Sequence, residues 1–234
     1  MPTEIKTIRS SGVNCYLVTT SDGGFILIDS GLSMGRARIL KELESAGCRP
    51  GKLNLILITH ADPDHTGNAA YLRRMYATKI AMHPAETKAA ESGNMLYNRK
   101  SQASLTRTIF SIFKPGKSDR FTPDFTVEDG QDLSSYGLDA KVIHLPGHTA
   151  GSIGILTMQG VPLQGSGQVL FCGDMLMERK EGLRVGYGDP LDFKDSLEKL
   201  KSLEIKTFYP GHGRPFSMEA FLKIFSQPAY EIVN

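Results

Sequence analysis

The sequence predicts an α/β layered fold, and three observations carry that expectation. Apolar runs of strand length alternate with stretches of helical spacing along most of the 234 residues. A strand-rich half with helices is followed by a second strand-rich half with helices, an order that suits stacked layers and not an all-parallel barrel. Several strand runs also break into loops that carry a His or an Asp just past the strand end, as if the strands delivered these side chains to a common edge.

Residues 14–20 and 25–29 are strand-like runs joined by Ser21-Asp22-Gly23-Gly24, a hairpin signal. The second run ends in Asp29-Ser30-Gly31, where the chain turns. Residues 36–46 carry Ile39, Leu40, Leu43 and Ala46 at helical spacing, and Gly47 stops the helix. Residues 54–59 hold an unbroken apolar run, the mark of a strand buried on both faces. A helix over 68–76 has Ala69, Leu72, Met75 and Tyr76 as its inward face. A short strand over 79–82 and a helix over 84–91, with Pro84 in its first turn, follow.

Residues 92–122 break this rhythm. Leu105, Ile109, Ile112 and Phe113 fall at helical spacing within 101–113, and Arg99, Lys100, Arg107, Lys114, Lys117 and Arg120 stand against Asp119. Three readings stay open: a helical insert with a solvated basic face, a lid whose apolar face covers a pocket and whose cations meet an anionic substrate, or, less suited to so short and Ser- and Thr-rich a stretch, an amphipathic membrane contact. Strands return at 125–127, 138–144, 152–157 and 168–172. An amphipathic helix over 191–203 aligns Leu197, Leu200 and Leu203, then come a strand over 207–209 and a helix over 218–225. The whole reads as one domain, 1–234, with an insert at about 92–122.

The chemistry concentrates after the strand at 54–59. His60-Ala61-Asp62-Pro63-Asp64-His65 places four metal-capable side chains in six positions, stiffened by Pro63. One His beside one Asp is ordinarily a surface pair; two of each on a loop closing a buried strand point to a metal site. Three later loops repeat the device: Pro146-Gly147-His148, Gly173-Asp174 and Pro210-Gly211-His212, each just past a strand. Four of the six histidines lie in these loops.

In this order the motifs resemble the metallo-β-lactamase superfamily, and the likeness covers nearly the whole chain. The resemblance implies an αββα sandwich of four layers, with two mixed β-sheets packed face to face and helices outside. It also implies a dinuclear centre in which His60, Asp62 and His148 hold one divalent ion, Asp64, His65 and His212 hold another, and Asp174 bridges them. Asp29 would support the centre from behind. The family's loop commonly reads His-x-His-x-Asp-His, so Asp62 stands where an imidazole is usual. Zinc is the usual family metal; an added oxygen donor tilts the choice toward iron or manganese. Asp is also shorter than His, so its reach to the metal is open. The flavodiiron proteins of the superfamily carry a carboxylate at the corresponding place and bind iron.

The resemblance implies hydrolysis of a small ester, thioester or lactone by a hydroxide held between two cations, with Asp64 both ligand and orienting group. Tyr187, between two glycines, is a candidate oxyanion contact, or an aromatic that packs locally. His144 and His83 read as packing or orienting residues, and Lys180 and Arg184 as solvated. The alternatives are an iron-dependent oxidoreductase acting on oxygen or a sulfur substrate, a phosphodiesterase, and a binding protein with a decayed site. A formal charge of +2, from 27 basic and 25 acidic residues, is too mild to argue for nucleic acid. No apolar run approaches the roughly 18 residues that span a bilayer. Three isolated cysteines, Cys15, Cys48 and Cys172, read as buried thiols of a cytoplasmic protein. The expected partner is a small molecule, anionic if the basic insert meets it; a homodimer stays open.

Overall fold

The computed structural model describes residues 4–99, 116–157, 167–180, 182–186 and 188–225. The helix expected over 101–113 and the candidate Tyr187 lie outside the described residues. The first sheet is built from β1 (Ile5–Ser10), β2 (Val13–Thr19), β3 (Phe25–Ile28), β4 (Leu53–Leu57), β5 (Ile80–Met82) and β6 (Phe125–Thr126), side by side in that order. The β1–β2 and β2–β3 pairs are antiparallel; from β3 to β6 the pairs are parallel. The second sheet uses β7 (Ala140–His144), β8 (Ile153–Thr157), β9 (Gln168–Gly173), β12 (Ile205–Pro210) and β13 (Phe216–Ser217), in the order β13-β12-β9-β8-β7. A separate hairpin, β10 (Leu176–Arg179) and β11 (Gly182–Val185), follows β9.

Helices cover the outer faces. On the first sheet lie α1 (Arg36–Ser45), the single turn α2 (Pro63–Thr66), α3 (Ala69–Tyr76) and α4 (Thr87–Ser92); on the second lie α5 (Pro190–Lys201) and α6 (Met218–Phe225). Burial sorts into three apolar clusters, one per layer boundary. Ile39, Leu43 and Leu72 meet Ile56 and Ile58 on the first outer face. Val18, Ile26, Leu55 and Leu57 meet Val142, Ile155, Val169 and Phe171 between the sheets. Phe193, Leu197, Leu200 and Phe221 meet Leu170 and Phe208 on the second outer face. Two opposed cores explain why 54–59 reads as continuous apolar sequence instead of alternating.

Some expectations shift. Met75 is 49 % exposed, because Ala69, Ala70, Leu72 and Tyr76 already define the inward stripe of α3 and Met75 falls on its flank. β1 escapes the apolar pattern because Lys6 and Arg9 interrupt it, as suits an edge strand. α5 is capped by Asp189, which accepts from Leu191 and Asp192 backbone N–H at 3.0 and 3.2 Å, with Pro190 opening the helix. The three cysteines are buried thiols. No helix among the described residues is long and apolar enough to cross a membrane.

The topology gathers strand ends. β3 and β4 are parallel; β8 opposes both β7 and β9, and β12 follows β9, so β7, β9 and β12 point one way. The two sheets are tied together there: Ile153 N–H donates to Thr59 O at 3.0 Å, Asn14 N–H to Gly211 O at 2.8 Å, and the Tyr16 hydroxyl to Pro210 O at 2.6 Å.

Candidate metal centre

β4 runs into Thr59 and His60, after which Asp62 and Pro63 turn the chain into α2. Backbone N–H groups of His65 and Thr66 close that turn on Asp62 O at 2.9 and 3.0 Å. Asp64 and His65 thereby leave one turn in fixed directions. From the second sheet, the ends of β7, β9 and β12 bring His148, Asp174 and His212 to the same place.

Two groups result. Ligand atoms of His60, His148 and Asp174 lie within 4.8 Å of one another, and so do those of Asp64, His65 and His212. Asp174 faces both: its Oδ1 is 3.3 Å from His65 Nε2, and its Oδ2 is 3.2 Å from His212 Nε2. Asp64 Oδ2 is 3.2 Å from His212 Nε2. Gly211 must be glycine for this approach, since a Cβ there would strike the Asp174 carboxylate and come within 2.7 Å of the His65 ring.

The imidazoles are aimed from behind. His65 Nδ1 donates to Asp29 Oδ2 at 2.8 Å, and His212 Nδ1 donates to Gly12 O at 2.9 Å. The Thr59 hydroxyl spends its proton on Asp29 Oδ2 at 2.8 Å, so it accepts from His60 Nδ1 at 3.0 Å. Each acceptor holds Nδ1–H and so turns the Nε2 inward, where an entering cation would take it. Asp29 also takes the Thr59 N–H at 2.8 Å while holding φ at 58°, a strained backbone for a non-glycine residue.

The residues fit divalent cations. Around the centre, His60 Nε2, Asp62 Oδ1, His65 Nε2 and Asp174 Oδ1 are buried with no hydrogen-bond partner among the described residues, an expensive arrangement unless a metal takes them. Imidazole nitrogens and carboxylate oxygens are zinc, manganese and iron donors. Burial lowers the His65 pKa, but the carboxylates of Asp29, Asp174 and Asp64 outweigh it and hold it well above its ordinary value. At His212 burial is likewise overcome, by hydrogen bonds to Asp174 and Asp64, and the pKa is pushed up to about 9. Burial would raise the Asp174 pKa, yet His65 and His212 hold it well below the usual carboxylate range.

Asp62 behaves differently. Its Oδ2 lies 3.1 Å from His148 Nε2 and 3.6 Å from His60 Nε2, so its length does not keep it from the first group. The same oxygen accepts from Arg99 Nη2 at 2.5 Å, and Asp62 belongs to neither cluster of metal-capable residues. Behind Arg99 stands Glu86, fully buried, which sequence reasoning missed. Its Oε2 accepts from Ala61 N–H at 2.7 Å and from the Asn98 amide, and its Oε1 accepts from Gly151 N–H at 2.9 Å. One carboxylate therefore ties together the loop after β4, the loop after β7 and the turn bearing Arg99. Nothing in the sequence separates Glu86 from the solvated glutamates of other helices.

The remaining candidates lie outside the cluster. The His83 and His144 rings stack at 4.2 Å; His83 accepts from Ala85 N–H, and His144 Nε2 donates to Ala150 O at 2.9 Å, steadying the loop after His148. Lys180 and Arg184 are exposed.

Comparison with known proteins agrees with this architecture. The family model described as metallo-beta-lactamase superfamily matches residues 9–212. A probable metallo-hydrolase of Methanocaldococcus jannaschii is 27 % identical over 215 residues, covering 89 % of this chain and 91 % of that protein. A hydroxyacylglutathione hydrolase of Haemophilus influenzae is 26 % identical over 180 residues, covering 76 % of this chain and 73 % of its own length. Among solved structures, a metallo-β-lactamase from Elizabethkingia meningoseptica superposes with a TM-score of 0.72 over 96 % of this chain and 84 % of that one; at 18 % identity it speaks for the fold alone. With two stacked mixed sheets, His- and Asp-bearing loops at one edge and a family match across that whole span, the chain belongs to the metallo-β-lactamase superfamily.

Proposed function

We propose that the chain is a metal-dependent hydrolase of small thioesters and related activated esters or lactones. The observation that carries this reading is the pair of donor groups, His60–His148–Asp174 and Asp64–His65–His212, with acceptors behind His60, His65 and His212 that turn their Nε2 atoms inward. The Haemophilus relative is named for a hydroxyacylglutathione, which is a thioester, and that name places thioesters first in the panel. His60, His148 and Asp174 would hold one divalent cation, and Asp64, His65, His212 and Asp174 the other. When bound, such a pair polarises a carbonyl and makes water nucleophilic at neutral pH.

The protein's own groups do the positioning. Asp29 and the Gly12 carbonyl keep the imidazoles in the binding tautomer. Asp64 is the more exposed carboxylate of the cluster, with 28 % of its side chain accessible against 9 % for Asp174, so it faces the entry side and can orient the attacking water with the oxygen that the cation would leave free. Beside His148, Arg99 lines a narrow cleft with Thr149, Asp189 and Asp192. The case for iron or manganese leaned on Asp62 as an added oxygen ligand; with Arg99 on that carboxylate, zinc comes first.

The test is elemental analysis of freshly purified protein followed by a panel of acyl-thioesters, esters and lactones. Up to two equivalents of zinc or manganese, thioester turnover abolished by chelation and restored by the metal, and a loss of about 100-fold or more in His148→Ala are expected. Metal-replete protein that turns over no member of the panel would sink the substrate assignment.

A further inference from the structure

Asp62 sits where the superfamily's loop usually has an imidazole, and it is already engaged. We propose that Arg99 makes the two metal positions unequal: it neutralises Asp62 and withholds Oδ2, the carboxylate oxygen nearest His60 and His148, from the first cation, leaving Oδ1 as its one unpartnered oxygen among the described residues. The Asp64–His65–His212 position then fills first and tightly, and the His60–His148 position fills weakly.

The pairing is built into the fold. Arg99 Nη2 meets Asp62 Oδ2 at 2.5 Å, with only 4 % of the arginine side chain exposed. Arg99 Nη1 is held from the other side by Met95 O at 3.0 Å and Asn98 Oδ1 at 3.2 Å, and the Asn98 amide is anchored on Glu86. The guanidinium is delivered by a buried network and not by a loose surface side chain.

The charge around each position differs as a result. At the first, the donors are the imidazoles of His60 and His148 and an oxygen of Asp174, and a guanidinium that does not deprotonate stands beside them, its Nη2 2.5 Å from Asp62 Oδ2 and 3.5 Å from His148 Nε2. At the second, Asp64 and Asp174 meet His65 and His212, and Asp29 backs His65. A dication entering the first position meets less negative charge and a fixed positive one within a few ångströms of its ligands. In a buried setting of low effective dielectric that difference separates two affinities by about 100-fold.

The inference rests on the two-position reading of the centre, and its test reads binding without turnover. The full chain, stripped with chelator, is titrated with zinc in competition with a chromophoric chelator. Wild type is expected to bind two equivalents with constants about 100-fold apart. Arg99→Met frees Asp62 for the cation and should tighten the second equivalent by about tenfold or more. The neutral pair Asp62→Asn with Arg99→Met leaves no unpaired charge in the core, and should keep the wild-type weak constant within about threefold. Two equal constants in wild type would overturn the proposal. So would an unchanged weak constant in folded Arg99→Met. A loss of about tenfold in the neutral pair would show that Asp62 serves the cation in wild type, and would overturn it as well. Equal constants with thioester turnover would remove this inference and leave the hydrolase reading; unequal constants without turnover would do the reverse.

Discussion

Position 62 separates what a residue type announces from what its neighbours make of it. The sequence shows an Asp in place of an imidazole, and side-chain length is then the natural worry. The carboxylate in fact lies 3.1 Å from His148 Nε2, so reach is not the issue; competition from Arg99 is. That contact joins residues 37 positions apart through a turn whose placement no local pattern encodes. That His60, Asp64, His65, His148, Asp174 and His212 come together was legible because all lie in loops or turns that follow a strand run. Their orienting partners, the Gly12 carbonyl and Thr59 hydroxyl, were not, since backbone carbonyls and hydroxyls occur everywhere. Proton competition follows at this same scale. With its pKa pushed up to about 9, His212 carries a proton at neutral pH that an entering cation must displace. Protonation opposes binding, so zinc affinity at the second position should rise with pH and level off above about 9. Titration calorimetry in buffers of different ionisation enthalpy should show net proton release at pH 7; binding without proton release would contradict this assignment.

At the scale of elements, periodicity located α1, α3, α5 and α6, whose apolar stripes face a sheet. It failed for Met75 because α3 is only two turns long and a neighbouring stripe position satisfied the same spacing. It missed β1 and the β10–β11 hairpin, where charged residues interrupt the pattern at a sheet edge or on a small ribbon. The short turn before α4 does more than connect, because its Glu86 fastens three loops. Glu86→Gln swaps one acceptor for an amide that points N–H at N–H, leaving buried donors unmatched. A loss of about 2 kcal/mol in unfolding free energy is expected, measured by urea denaturation. An unchanged midpoint would mean that the loops are held by something other than this carboxylate.

On the scale of the molecule, the four layers were legible because both sheets bury two faces and write that burial into unbroken apolar runs. The seam between the sheets was not legible beyond its His and Asp loops. Its ties, such as Tyr16 to Pro210 O, join residues 194 positions apart and leave no trace in local sequence. The sheets are also contiguous in the chain: β1 to β6 occupy 5–126, and β7 to β13 occupy 140–217.

The donors divide along the same line. His60, Asp64 and His65 belong to the first stretch; His148, Asp174 and His212 belong to the second. Neither stretch completes either metal position alone, so a cation would act as a rivet through two separable plates. Severing the chain at about residue 128, between the sheets, should yield two fragments that recognise each other through the Leu55–Leu57 and Phe171 core and lock only when zinc is supplied. Size-exclusion of the mixed fragments should show a complex about tenfold tighter with zinc than with chelator. Equal association in both conditions would mean that the plates are held by their apolar faces and that the rivet carries no load.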